Sequence, residues 1–254
     1  MGGGLYMVFS ILPQFFKNFF ESKSDPSRKE IDDFVAAANV RNAATVRKFL
    51  QGYGRAIVNR KDSSGWTALM KAVSNGYNDI ILLLLNGGAA IDKKSCGMTP
   101  LMQAAWDGPL NIVMTLRERG AAIDEQDNSG WTALMLASWK GRFDAVTFLL
   151  ESGASIDEKD NDGLTALMLA VVYKQKEIVT LLLNRGASID EKSNSGMTAL
   201  MLAARNGDTD IVAQLLDREA SLETKSNTGM TALTCAALSG CRGVVKLIKE
   251  CSPT

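Results

Sequence analysis

Apolar and polar residues follow each other along this chain in a pattern that returns about every 33 residues. In one period, residues 160–192, a short apolar run begins at Leu167 and a second begins at Ile178, with polar residues between and after them. In the second run the apolar residues recur at i, i+1, i+4 and i+5, which is the apolar stripe of an amphipathic helix. Each period therefore predicts two short helices that share an apolar side, followed by a polar loop.

A ladder of glycines marks the repeat: Gly65, Gly97, Gly130, Gly163, Gly196 and Gly229. After each glycine come one variable residue, a threonine, then Ala or Pro, and then Leu. The threonine predicts a helix N-cap, because its hydroxyl can accept a hydrogen bond from an unpaired amide of the first turn. Pro100 occupies the next position in one copy, where helices tolerate proline best. Since one unit cannot bury its own apolar side, neighbouring units must stack.

At these residues the chain resembles the ankyrin repeat family, whose signature Thr-Pro-Leu-His-x-Ala recurs with a period of 33. The matching stretches are residues 67–72, 99–104, 132–137, 165–170, 198–203 and 231–236. The resemblance implies an all-α ankyrin-repeat solenoid of stacked helix pairs with short β-hairpin-like fingers. For function it implies only a surface that binds other proteins, since one fold serves many roles.

The chain departs from the family signature at two positions. The histidine is replaced by Met70, Met102, Met135, Met168 and Met201, and by Thr234 in the last copy. We expect apolar packing of the flexible thioethers to take over the role of the imidazole. The asparagine usual in the finger is retained as Asn59 and is otherwise Asp92, Asp124, Asp157, Asp190 and Glu223.

The repeat predicts three segments. Residues 1–27 form an N-terminal apolar, amphipathic extension with a polar link, residues 28–61 a degenerate N-terminal capping repeat, and residues 62–254 six repeats, of which the last is a C-terminal cap. One finger differs in length, because eight steps separate Ala89 from Gly97 where nine separate Ala121 from Gly130.

The extension carries a stripe of large apolar residues at helical spacing: Leu12, Phe15, Phe16, Phe19 and Phe20. One interpretation is a capping helix that docks on the open end of the repeat stack. The other is an interfacial anchor that brings residues 5–20 into contact with a membrane.

The composition excludes several classes of function. The 28 basic and 28 acidic residues cancel, so no electrostatic footprint for nucleic acid is present. The chain has no histidine, which excludes histidine-dependent nucleophilic catalysis and histidine metal sites. We therefore expect no enzyme activity, no catalytic or metal-binding residues and no cofactor. The four cysteines are irregularly spaced, which favours free thiols in a reducing compartment. We expect a monomer in the cytoplasm, membrane-associated if residues 5–20 act as an anchor.

The resemblance implies that a partner binds at the finger tips and at the exposed end of each first helix. All four tryptophans fall at these positions, and tryptophan and tyrosine concentrate binding energy at interfaces. The residues expected to contact a partner are Trp66, Met98, Trp106, Asp107, Trp131, Trp139, Lys140, Leu164, Tyr173, Met197 and Arg205. We expect Trp106 and Trp139 to face solvent, whereas Trp66 and Trp131 could instead pack on a neighbouring repeat.

These observations predict a non-enzymatic protein–protein interaction module, such as an adaptor, an inhibitor or a targeting protein, that binds a partner protein through an aromatic concave face. One alternative is a membrane-tethered ankyrin scaffold anchored by residues 5–20. Another is a pathogen effector that binds a host protein.

Overall fold

The computed structural model describes residues 25–251, and these residues form helices joined by turns. They divide into two compact units, one ending at Cys96 and the other beginning at Gly97. This boundary falls in the finger that is one residue short. Residues 1–24 lie outside the described part, so the capping and membrane-anchor interpretations of the N-terminal extension stay predictions.

The first unit contains two helix pairs and a short extra helix. Its helices are α1 (Arg28–Asn39), α2 (Ala43–Tyr53), α3 (Arg55–Val58), α4 (Ala68–Ser74) and α5 (Asn78–Asn86). Helix α1 packs on α2 and α4, while α2 packs on α5. Helix α1 begins with a capping box, in which Ser27 and Glu30 each satisfy a backbone amide of the other. Phe34 fills the space between the helices, fully buried and 5.8 Å from the ring of Phe49.

The chain before the finger residue Asn59 is helical, because Val58 ends the four-residue helix α3 and is buried. Asn59 links two repeats. Its side chain donates to the carbonyl of Gly88 (3.3 Å) and accepts from the amide of Ala90 (2.7 Å), so it ties one repeat to the next.

The second unit contains five helix pairs in two rows. The first helices are α6 (Pro100–Asp107), α8 (Ala133–Trp139), α10 (Ala166–Val172), α12 (Ala199–Asn206) and α14 (Ala232–Leu238). The second helices are α7 (Leu110–Glu118), α9 (Phe143–Glu151), α11 (Lys176–Asn184), α13 (Thr209–Leu216) and α15 (Arg242–Cys251). Each first helix packs on the next first helix and on its own partner, and the second helices pack in the same order. The predicted all-α stack of helix pairs is confirmed.

The first helices begin where the threonines predict. The hydroxyl of Thr165 accepts the amide of Met168 at 3.3 Å, and the same bond recurs at the other threonine caps. The methionines that replace the family histidine are at most 1 % exposed: Met70, Met102, Met135, Met168 and Met201. A buried thioether needs no hydrogen-bond partner, so apolar packing is sufficient at this position.

The described fingers are tight turns without extended strands. No residue between 25 and 251 lies in an extended strand, although Lys61 and Thr67 form an isolated antiparallel bridge. Neighbouring fingers are joined instead by single backbone bonds, such as the amide of Asn194 donating to the carbonyl of Asp162 at 2.9 Å. Gly163 permits this contact, because a Cβ atom there would lie 2.6 Å from the amide nitrogen of Asn194.

The finger aspartates have a structural role that explains why they replace asparagine. Asp157 accepts both the amide (3.0 Å) and the hydroxyl (2.6 Å) of Ser188 in the next repeat, and Asp124 accepts the same two groups of Ser155. A carboxylate can accept two such bonds, whereas an asparagine side chain offers one acceptor and one donor. Ser155 and Ser188 are therefore each matched to the aspartate of the preceding repeat.

Candidate functional site

The position of Trp131 is set by a carboxylate in its own finger. The backbone amide of Asp127 donates to the carbonyl of Trp131 (2.9 Å), and its Oδ1 accepts the amides of Ser129 (2.8 Å) and Trp131 (2.9 Å). These three bonds close the finger into a rigid turn. The indole of Trp131 is thus held at the tip without any contribution from a partner.

Trp131 belongs to a group of four rings, Trp106, Trp131, Trp139 and Tyr173, which we call the aromatic cluster. The ring of Trp139 lies at its centre. It stacks on Trp106 (6.1 Å between centroids, 15° between planes), meets Trp131 edge-on (5.3 Å, 87°) and is tilted against Tyr173 (5.4 Å, 60°). The cluster therefore joins side chains from α6, from α8 and the finger before it, and from the residue that caps α10.

The repeat period brings these rings together. Trp106 and Trp139 occupy equivalent positions 33 residues apart on α6 and α8, which pack side by side. Packed helices lie about 8–10 Å apart, close enough for large side chains at equivalent positions to meet. Tyr173 is the C-cap residue of α10, one position beyond the equivalent of Trp139, so its ring approaches Trp139 from the next repeat.

Lys140 contributes a positive charge to the cluster. Its Nζ lies 4.6 Å from the ring centroid of Trp139 and 5.3 Å from that of Trp106, within the range of cation–π attraction. Asp107 is exposed and accepts a hydrogen bond from Nε2 of Gln103 at 2.9 Å. Of the two charged residues expected to contact a partner here, Asp107 and Lys140, it is Lys140 that lies directly on the rings.

The aromatic cluster borders an open groove of about 440 Å³, which we call the first groove. It is lined by Met98, Trp106, Asp127, Ser129, Trp131, Leu136, Trp139 and Tyr173. The expectation that Trp106 and Trp139 face solvent needs correction, because both are half-buried against each other and the neighbouring rings. Tyr173 remains 46 % exposed. Nε1 of Trp106 is buried without an acceptor among the described residues.

Three other expected residues line a second groove of about 560 Å³: Leu164, Met197 and Arg205. This second groove also includes Val172, which takes the place of Trp139 in the next repeat, and Asp162. Arg205 is exposed. Met197 is only 5 % exposed, so the expectation of an exposed tip is wrong in that repeat. An unbranched thioether can fold into a small apolar gap, which removes it from water.

The positive charge of Arg205 acts on the Cys235 thiol in the neighbouring repeat. Burial raises the pKa of the Cys235 thiol because it disfavours the thiolate, and the nearby positive charge of Arg205 partly offsets that rise. Cys235 is 3 % exposed and lies in α14. All four cysteines are free.

Trp66, the remaining tryptophan, lies in the first unit. It is half-buried at the tip of the finger that Asp62 closes, by the same bonds that Asp127 makes. Nζ of Lys71 lies 4.5 Å from its ring centroid. The aromatic cluster itself consists of residues of the second unit.

Sequence reasoning missed three groups on this surface. Asp127, Ser129 and Leu136 line the first groove but were not among the expected residues. The spacing Asp-x-Ser-Gly-Trp was the available signal, since an aspartate three residues before a turn glycine can accept hydrogen bonds from the backbone amides of that turn. Another residue left out of the expected set is Leu238, which occupies the position equivalent to Trp139 three repeats later and is 78 % exposed.

The described residues contain neither a candidate metal site nor a membrane-spanning helix. Between residues 25 and 251 there is no group of three or more Cys, Asp or Glu side chains arranged to hold a metal ion. Nor does this part of the chain include a helix whose length and apolar character would let it cross a membrane.

Comparison with known protein families agrees with this architecture. The family described as ankyrin repeats (3 copies) matches overlapping stretches of the chain, at residues 34–127, 89–160, 119–193 and 185–254. The chain belongs to the ankyrin repeat family, and proteins of this kind generally mediate protein–protein interactions. A search of curated proteins found no match.

Proposed function

We propose that this protein is a non-enzymatic interaction module that captures a partner protein on the aromatic cluster and the first groove. The observation that carries the proposal is the group of four rings around Trp139, which borders an open groove and leaves Tyr173 exposed. Rings of this kind are the side chains that most often dominate the energy of protein interfaces. Apolar surface that stays exposed around such rings also marks interaction sites.

Rigidity supports the same function. The aspartate clamp fixes Trp131, and ring stacking fixes Trp106 and Trp139, so a partner would meet side chains that are already ordered. Binding then loses little conformational entropy on this side of the interface. A module of this kind presents a preformed surface and contributes no chemistry. The free cysteines agree with a reducing compartment, and we place the protein in the cytoplasm as a monomer.

The test compares two exposed aromatic side chains of the second unit. Tyr173→Ala removes a ring of the aromatic cluster, whereas Phe143→Ala removes a ring that is 47 % exposed at the start of the second helix α9. Quantitative affinity capture from a cell lysate, read by mass spectrometry, should identify a partner that wild-type and Phe143→Ala chains retain. Capture by Tyr173→Ala should fall about 30-fold, which corresponds to a loss of about 2 kcal/mol. Equal capture by all three chains would contradict the proposal.

A further inference from the structure

Positive charges on the first-helix side of the second unit lack acidic partners. Lys140 lies over two indole rings, and Arg205 lies at the border of the second groove. Neither makes an ion pair with a described residue. Other cations of the unit vary in this respect: Arg185 pairs with Glu151 at 3.2 Å, whereas exposed Lys174 makes no ion pair with a described residue. What distinguishes Lys140 and Arg205 is their position beside the aromatic cluster and the second groove.

The acidic residues near the grooves make no ion pair with these cations. The carboxylate of Asp127 accepts two amides of its own finger, and that of Asp107 accepts a hydrogen bond from Gln103. Asp162 borders the second groove but makes no ion pair with Arg205. The apolar surface of the two grooves is thus accompanied by two cations whose charge a partner can neutralise.

We propose that the partner is recognised through an acidic, apolar segment: a large apolar side chain enters the first groove and a carboxylate pairs with Arg205. The inference rests on the function proposed above. A guanidinium binds a carboxylate through two parallel hydrogen bonds, which gives both affinity and register. A second acidic residue beside the apolar anchor would pair with Lys140.

The repeat geometry sets the spacing in such a segment. Arg205 and Trp139 occupy equivalent positions, and two helix spacings separate them because α10 lies between α8 and α12. At 8–10 Å for each spacing the separation is about 20 Å. An extended chain advances about 3.3 Å per residue. The carboxylate should therefore follow or precede the apolar anchor by about six residues.

Single-stranded nucleic acid also combines flat rings with negative charge, and it is the main competing class of ligand. The surface argues against it, because each groove is lined by a carboxylate, Asp127 in the first and Asp162 in the second, and both would repel phosphates. The chain as a whole has no net charge, whereas binding to a polyanion is dominated by the number of phosphates that cations neutralise. A peptide whose carboxylates are separated along the chain fits this mixture of positive and negative groups better.

The experiment uses the full chain and a phage library of random 16-residue peptides. Enriched sequences should carry Trp, Phe or Leu and, about six positions away, Asp or Glu. A synthetic peptide with the enriched sequence is then titrated against the variants, with thermal melting to verify folding. Arg205→Glu should weaken binding by about tenfold or more, and Arg205→Lys by less because it keeps the charge but loses the fork. Lys174→Glu makes the same charge change at an exposed residue outside both grooves, so it should leave affinity within about twofold.

These outcomes test the acidic segment, whereas the lysate capture described above tests the proposed function. If Tyr173→Ala abolishes peptide binding but Arg205→Glu does not weaken it, the acidic segment is wrong and the aromatic binding surface stands. If neither variant weakens binding, or if no peptide is enriched, the acidic segment is wrong, and capture of a whole partner by the wild-type chain but not by Tyr173→Ala would still support the proposed function. Enrichment of basic peptides would overturn the acidic segment, and so would binding of a 20-nucleotide oligothymidylate as tightly as the peptide.

Discussion

At the scale of single residues, Trp139 has two roles that oppose each other. As the centre of the aromatic cluster it contacts three rings and the ammonium of Lys140, which stabilises the folded chain. As part of the wall of the first groove it remains half-exposed to a partner. An aromatic pair contributes about 0.5–1.5 kcal/mol beyond the area it buries, so the three contacts of Trp139 cannot be neutral for folding.

Trp139→Ala should therefore lower the free energy of unfolding by about 2 kcal/mol or more, because it removes all three ring contacts at once. Phe143→Ala, at a residue 47 % exposed and without a contact to the aromatic cluster, should change it by less than about 0.5 kcal/mol. Urea denaturation followed by circular dichroism measures both. Equal, small effects of the two substitutions would mean that the indoles do not support the fold.

The positions of these rings could be predicted from the sequence, but their exposure could not. The period of 33 residues places Trp106 and Trp139 at equivalent positions on adjacent helices, and this alone predicts that they meet. Whether two such rings stack or point into solvent depends on side-chain rotamers and on residues one position out of register. Tyr173 is such a residue, and its ring covers part of Trp139. Met197 is the opposite case, a tip position that the structure buries.

At the scale of helices and fingers, prediction succeeded where one local rule decides the outcome. The threonine caps and Pro100 at the first turn of α6 are confirmed, because each depends on backbone chemistry within a few residues. The short helix α3, which buries Ile57 and Val58, was not predicted. The aspartate–serine links between repeats were also missed, since their partners lie 31 residues apart.

Two glycines, one just after α9 and one in the finger before α10, allow a matched test of this packing. Gly153 and Gly163 both have positive φ, at 87° and 76°, but only Gly163 lies against the backbone of the next repeat. Gly153→Ala should cost about 1–2 kcal/mol of unfolding free energy, the strain of placing a Cβ atom in the left-handed region. Gly163→Ala should cost clearly more, because the new Cβ would also displace the amide of Asn194 and lengthen its bond to Asp162.

Chemical denaturation of the two glycine variants under identical conditions measures the difference. Hydrogen exchange at the amide of Asn194 provides a local readout, and it should accelerate in Gly163→Ala only. If both variants lose the same stability, positive φ alone explains the ladder of glycines, and the close approach of neighbouring fingers has no energetic role.

At the scale of the second unit, stability is distributed along a row. Among the described residues of this unit, each first helix packs extensively on its own partner and on the first helices beside it. No central core joins α6 to α14, so the energy of each repeat is expected to depend on its immediate neighbours. Unfolding in such an array need not be a single two-state event.

Deletion of residues 226–254 tests this distribution, because it removes α14 and α15 together with the finger before them. We expect the remaining chain to keep α6 to α9 as strongly protected in hydrogen exchange as in the full chain, since their neighbours are unchanged. Protection should fall in α12 and α13, which lose the packing of α14 on α12 and of α15 on α13. The loss should fade within about one repeat of the new end, because coupling acts between nearest neighbours.

The gradient of protection decides between a row of coupled repeats and a single cooperative core. Ile178→Ala supplies the comparison, because it removes a buried side chain from α11, a helix with neighbours on both sides. That substitution should weaken protection in α9 and α13 alike, whereas the deletion should leave α9 unchanged. A uniform loss of protection from α6 to α13 after the deletion would show that the unit unfolds as a whole. In that case the aromatic cluster, built on α6, α8 and the end of α10, would depend on distant repeats for its rigidity.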